Sequence, residues 1–95
     1  MTKLGTFEVE ESFNITGRGI VVLGYCSDFI PKFGMSISIA ITDKRDVFKI
    51  IGIEIGNIPK NGKKQFGLLI RTSPEMLKYI SENKITNQTA DVLAD

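Results

Sequence analysis

Apolar and polar residues alternate through the first part of the chain. From Gly5 to Ile15 the apolar residues Phe7, Val9, Phe13 and Ile15 take odd positions, and Thr6, Glu8, Glu10, Ser12 and Asn14 take even ones. A period of two is that of a half-buried β-strand. Residues 1–4 lie ahead of the pattern and are expected to be loose. Glu11 breaks the alternation by placing a carboxylate on the apolar side. A bulge or rim position where the acid reaches water accounts for it, and so does an acid that lines a pocket. Thr16-Gly17-Arg18-Gly19 then supplies two glycines able to take positive φ, so a tight reversal leads into Ile20–Cys26. Ile20-Val21-Val22-Leu23 is continuously apolar, as in a strand covered on both faces.

The same grammar continues. Ser27-Asp28 and Pro31-Lys32-Phe33-Gly34 are turn chemistry, the second suiting a type I or II turn. Met35–Thr42 is the clearest strand, with Met35, Ile37, Ile39 and Ile41 on one side and Ser36, Ser38 and Thr42 on the other. Asp43–Asp46 reads as a charged hairpin loop. Val47–Ile55 is a further strand, with Gly52 marking a bulge or a close approach of backbone. Gly56–Gln65 is a loop and Phe66–Arg71 a strand. The period then changes. Ser73 suits an N-cap, Pro74 the first helical position and Glu75 the positive end of a helix. Met76, Leu77 and Ile80 share one face, which predicts a short helix to about Asn83 that closes one end of the sheet. Ala90–Leu93 is a final short strand. Six strands with short connections and one late helix predict an all-β fold, a small closed antiparallel barrel that leaves no open edge.

The length, 95 residues, allows a single domain over 1–95. Twelve basic and eleven acidic residues leave a net charge of +1, too little for a strong global field toward nucleic acid or membrane. A nucleic-acid contact would have to be local. The one cysteine, Cys26, sits in an apolar run and reads as a buried structural thiol in a reducing setting. Without an apolar leader or a long apolar span, the chain reads as soluble and cytoplasmic, with no membrane partner.

Histidine is absent, which removes the commonest general base and metal ligand and leaves no zinc set or serine triad. Two glycine motifs fail as nucleotide loops. Gly56…Gly62-Lys63-Lys64 has its glycines one position too far apart for a P-loop and puts Lys64 where a hydroxyl should hold magnesium. Gly17-Arg18-Gly19 lacks a third glycine and joins two strands. No enzyme, cofactor or metal site is expected. Two charge features remain open. Glu8, Glu10 and Glu11 form a solvated strand edge or a partner-binding patch, and Lys60, Lys63 and Lys64 form ordinary surface or a phosphate contact.

The run Val9-Glu10-Glu11-Ser12-Phe13-Asn14-Ile15-Thr16-Gly17-Arg18-Gly19-Ile20-Val21-Val22-Leu23-Gly24 resembles the V-E-D-x-F-x-I-x-G-R-G-T-V-x-T-G motif of the second, β-barrel domain of translational GTPases such as elongation factor Tu. Further along, Ile51-Gly52-Ile53-Glu54 is similar to that family's T-G-V/I-E strand and Gly67–Arg71 to its G-L-L-L-R strand. Ile30–Met35 is similar to its I-x-x-G-D/E turn, and Ala90–Ala94 more loosely resembles its G-Q-V-L-A. The resemblance implies a six-stranded antiparallel barrel of the translation-protein type.

In that family the barrel helps hold the aminoacylated 3′ end of transfer RNA. The resemblance places the terminal-adenosine pocket on Ile15, Val21, Glu54 and Leu69, with the apolar members around the base and the glutamate accepting from sugar hydroxyls. An adjacent amino-acid pocket would fall on Glu10, Glu11, Phe13, Gly56 and Gln65, where the match is poorer. As residues alone, Ile15, Val21 and Leu69 suit a barrel interior equally well. The 95 residues hold no counterpart of the GTPase domain or third domain, so a stand-alone, non-catalytic binding module is expected and GTP is not. Its partner would be an RNA 3′ end or nucleotide. The alternative is a protein-interaction module, for a translation factor, a ribosomal partner or a toxin that grips elongation factor Tu. Self-association through residues 74–83 and strand edges stays open.

Overall fold

Alternation of side chains builds the barrel strand by strand. The computed structural model describes residues 2–26, 29–56, 62–85 and 87–94. Six strands, β1 (Thr2–Ile15), β2 (Gly19–Cys26), β3 (Ser36–Ile41), β4 (Lys44–Ile55), β5 (Lys64–Ile70) and β6 (Gln88–Ala94), are joined by one helix, α1 (Pro74–Asn83), between β5 and β6. They close in the order β1-β2-β5-β4-β3-β6, with β6 returning to β1 and every pairing antiparallel. Phe7, Val9, Ile20, Val22, Ile37, Ile39, Ile50, Phe66, Leu68, Ile70 and Val92 fill the interior as one buried cluster. The expected all-β closed barrel with one late helix is the fold observed.

Several local expectations need correction. Residues 2–4 are not loose, because Thr2 and Lys3 pair with Ala94 and Leu93 and lengthen β1. The charged segment 43–46 is not a four-residue loop. Ile41 pairs with Lys44, so the reversal is only Thr42-Asp43, and Thr42 takes a φ of 56° to make it. β5 and β6 also begin two residues earlier than their apolar runs. Ser27-Asp28, Lys60 and the centre of the 56–65 loop lie outside the described residues.

Two of the three register shifts among the described residues shape the surface. The β1–β2 register shifts between Val9 and Glu11, so Glu10 is the extra residue. This inserts one position into a period-2 pattern and turns every following side chain over. Phe7 and Val9 face the core, whereas Phe13 and Ile15 face outward at 45% and 37% exposure. Glu11 then follows its neighbours to the outside, so its carboxylate is no longer an anomaly. A second shift between Ile50 and Gly52 does the same in β4.

Helix α1 starts as its sequence predicts. Ser73 Oγ accepts from the Met76 backbone N–H at 3.1 Å, and Pro74 opens the helix. The helix fills a gap that the strands leave. β1 pairs with β6 only as far as Val9, and β3 pairs with β6 only over Ser36–Ser38. Beyond these limits α1 buries Ile80 and ties to both sides. Asn14 Nδ2 donates to Ser81 Oγ at 3.1 Å, and the Tyr79 and Thr42 hydroxyls share a hydrogen bond at 2.7 Å. The Gln88 side-chain amide extends the β3 edge, meeting Ala40 N and O at 2.9 and 2.8 Å.

Candidate functional site

The register of β1, β2, β5 and β4 sorts their residues into inner and outer rows. Inner rows run Asn14–Ile20–Ile70–Ile50 and Ser12–Val22–Leu68–Ile53. Alternating with the inner rows, and therefore on the outer face, run Phe13–Val21–Leu69–Gly52, Glu11–Leu23–Gly67–Glu54 and Glu8–Tyr25–Gln65. Ile15, opposite Gly19, stands in the next outer row beyond Asn14–Ile20. Ile15, Val21 and Leu69 thus take the outer side of the sheet, where Ile15 is 37% exposed, Leu69 half-buried and Val21 nearly covered at 8%.

All nine residues singled out from the sequence meet on this face. Ile15, Val21 and Leu69 form an apolar strip with Phe13. Glu54 stands one row away on β4, Glu11 lies in the same row on β1, and Glu10 bulges from the strand beside it. Gly56 reaches the far row, donating its N–H to the Gln65 carbonyl at 2.8 Å. A Cβ on Gly56 would fall 2.2 Å from the Gln65 side-chain oxygen, so the bare glycine lets that amide lie against the backbone.

Two glycines give the strip its relief. A Cβ on Gly67 would lie 3.3 Å from Val21 Cγ1 and 3.9 Å from Glu54 Cβ, and one on Gly52 would lie 3.2 Å from Leu69 Cβ. Gly67 itself is buried between Val21, Leu23 and Glu54, and its missing side chain keeps the strip low at this point. Apolar walls beside a single carboxylate suit a planar base joined to a hydroxylated ring. Leu23 and Gly67 were not among the sequence candidates. Their signal was faint: a leucine in a continuous apolar run and a glycine inside a strand.

The turn Thr16–Gly19 contributes more than a reversal. Gly17 and Gly19 take φ of 83° and 116°, and Arg18 N–H donates to the Ile15 carbonyl at 2.9 Å. This holds Arg18 over the face, where its Nη1 donates to Glu54 Oε1 at 3.2 Å. No spacing in the sequence announces that pair. At the other end of the face Lys63 pairs with Glu8. Those two residues, Glu10 and Tyr25 line a polar hollow of about 350 Å³, and Gln65 Nε2 donates to the Tyr25 hydroxyl at 3.3 Å. Tyr25 is only 7% exposed although it faces outward. Among the described residues no group of three or more His, Cys, Asp or Glu is placed to hold a metal ion, and no helix is long and apolar enough to cross a membrane.

A closed six-stranded antiparallel barrel, with an apolar strip flanked by carboxylates on its outer face, is the class of protein these features define. The chain is similar to the apicoplast elongation factor Tu of Theileria parva, with 34% identity over 97 aligned residues that take in 82% of this chain. It spans 23% of that relative's length, as a domain-2-like piece would. Sequence and topology together make it an elongation factor Tu domain 2-like barrel. No family model matches the chain. No solved structure matches it either.

Proposed function

We propose that the outer face of β1, β2, β5 and β4 binds the terminal nucleoside of an RNA 3′ end without catalysing a reaction on it. One observation carries this reading. Ile15, Val21 and Leu69 come from three strands, take the outer side of the sheet, and gather beside Glu54 around Gly67. A strand face turned to water favours polar residues unless something covers it. The base stacks on the apolar strip and the sugar hydroxyls donate to Glu54, whose second carboxylate oxygen is not engaged by Arg18. Stacking on such a strip contributes about 1–3 kcal/mol, so a single nucleoside binds weakly. Similarity to part of an elongation factor supports a translation-related role.

Titration with a CCA-ended acceptor-stem RNA at low salt tests the reading. Binding that weakens in both Leu69→Ala and Glu54→Gln is expected. Absence of binding at millimolar concentration, or indifference to both substitutions, overturns it. Capture of nuclease-resistant protein partners would favour a protein-interaction module instead, for which the exposed Phe33 and Ile30, at 72% and 53%, are the pertinent observation.

A further inference from the structure

Beside the apolar strip, at the barrel rim, lies a hollow of about 340 Å³. The β1–β2 turn, the β4 bulge and the junction of β5 with α1 border it. Ile15, Ile51 and Leu77 supply apolar walls, and Arg18, Arg71 and Thr72 supply polar ones. None of its lining residues is acidic. Glu54 already compensates Arg18, whereas no carboxylate among the described residues pairs with Arg71. The Arg71 backbone is fixed, because its N–H donates to the Lys49 carbonyl at 2.9 Å. The hollow is also continuous with the strip. Ile15 belongs to both, a Cβ on Gly19 would sit 3.9 Å from Leu69 Cδ1, and Arg18 reaches from the hollow to Glu54.

From this juxtaposition we infer that the rim hollow is a phosphodiester subsite, in which Arg71 holds the phosphate preceding the nucleoside bound on the strip. A guanidinium offers paired N–H donors that match two phosphate oxygens. The singly charged phosphodiester suits a site where only one cation is uncompensated. Thr72 adds a neutral hydroxyl donor, and Ile51 and Leu77 supply apolar surface beside the contact. The inference rests on the strip binding a nucleoside, and it adds the group that orients the chain leading to it.

Adenosine, the dinucleotide cytidylyl-(3′→5′)-adenosine and inorganic phosphate, each titrated into the protein at low salt by calorimetry, test it. The dinucleotide should bind about five-fold more tightly than adenosine, as one exposed charge-assisted contact allows. That ratio should fall toward one in Arg71→Gln and with rising salt. Equal affinities in the unsubstituted protein, or a ratio kept by Arg71→Gln, overturn the subsite while adenosine binding upholds the strip. Inorganic phosphate binding as tightly as the dinucleotide overturns the phosphodiester assignment. Failure of adenosine and dinucleotide alike removes the strip reading, and this inference with it.

Discussion

Arg18 and Glu54 stand 36 residues apart in the chain and meet at 3.2 Å on the outer face, joining the β1–β2 turn to β4. Their side chains are 53% and 65% exposed, so the pair is a surface contact of modest strength. Solvated pairs of this kind contribute about 0–1 kcal/mol. Arg18→Ala should therefore change the unfolding free energy by less than about 1 kcal/mol in a denaturant titration. Its main effect is to free Glu54, and a much larger loss of stability would show that the turn is held by this contact.

Glycines at two positions of the same sheet predict opposite outcomes. Gly24 faces the core, and a Cβ there would meet the Glu8 carbonyl oxygen at 2.2 Å and the Phe7 ring at 2.6 Å. Neither the backbone nor a fully buried ring can yield, so Gly24→Ala should cost about 3 kcal/mol through overpacking. Gly67 faces outward, where the nearest atom is a valine methyl at 3.3 Å. Gly67→Ala should leave the melting temperature within a few degrees of the parent, because only that methyl must shift. It should still weaken nucleoside binding, since the displaced Val21 methyl and the added one raise the surface beside Glu54. Thermal melts of both variants, with a titration of the second, check the contrast.

The helix is a wall of the core as well as a connection. Ile80 is 2% exposed and closes the gap that β6 leaves between β1 and β3. Ile80→Ala should cost about 2–4 kcal/mol, as large-to-small changes in packed cores do. Ser73→Ala removes the oxygen that caps Met76 N–H and should cost about 1 kcal/mol. Chemical denaturation of both ranks them, and an equal or reversed order would mean that α1 merely lies on the barrel.

The barrel was legible because strand periodicity is local. Val47–Ile55 and Met35–Thr42 carry their alternation in consecutive residues, and Ser73-Pro74-Glu75 carries a helix start in three. The outer face was less legible. Phe13 and Ile15 continue the odd-numbered apolar pattern of Phe7 and Val9, and nothing in that pattern says that it changes sides at Glu10. Glu11 was the single symptom, and a bulge was one of its two readings. The Arg18–Glu54 pair and the hollow at Arg71 depend on closure of β1, β2, β5 and β4 side by side, which no short window contains. Composition misled in one respect: the polar residues Ser12 and Asn14 fall on the same side of β1 as the core rows, where Ser12 is half-buried and the still exposed Asn14 donates to Ser81 of α1.

Amide chemical-shift mapping of the isotopically labelled protein with a CCA-ended acceptor-stem RNA tests the central claim most directly. The largest shifts should fall on Ile15, Val21, Glu54, Gly67 and Leu69, in four strands that share one face, while β3 and β6 stay unmoved. Shifts centred on β3, β6 or the Phe33 loop, or none at all at millimolar RNA, would contradict it.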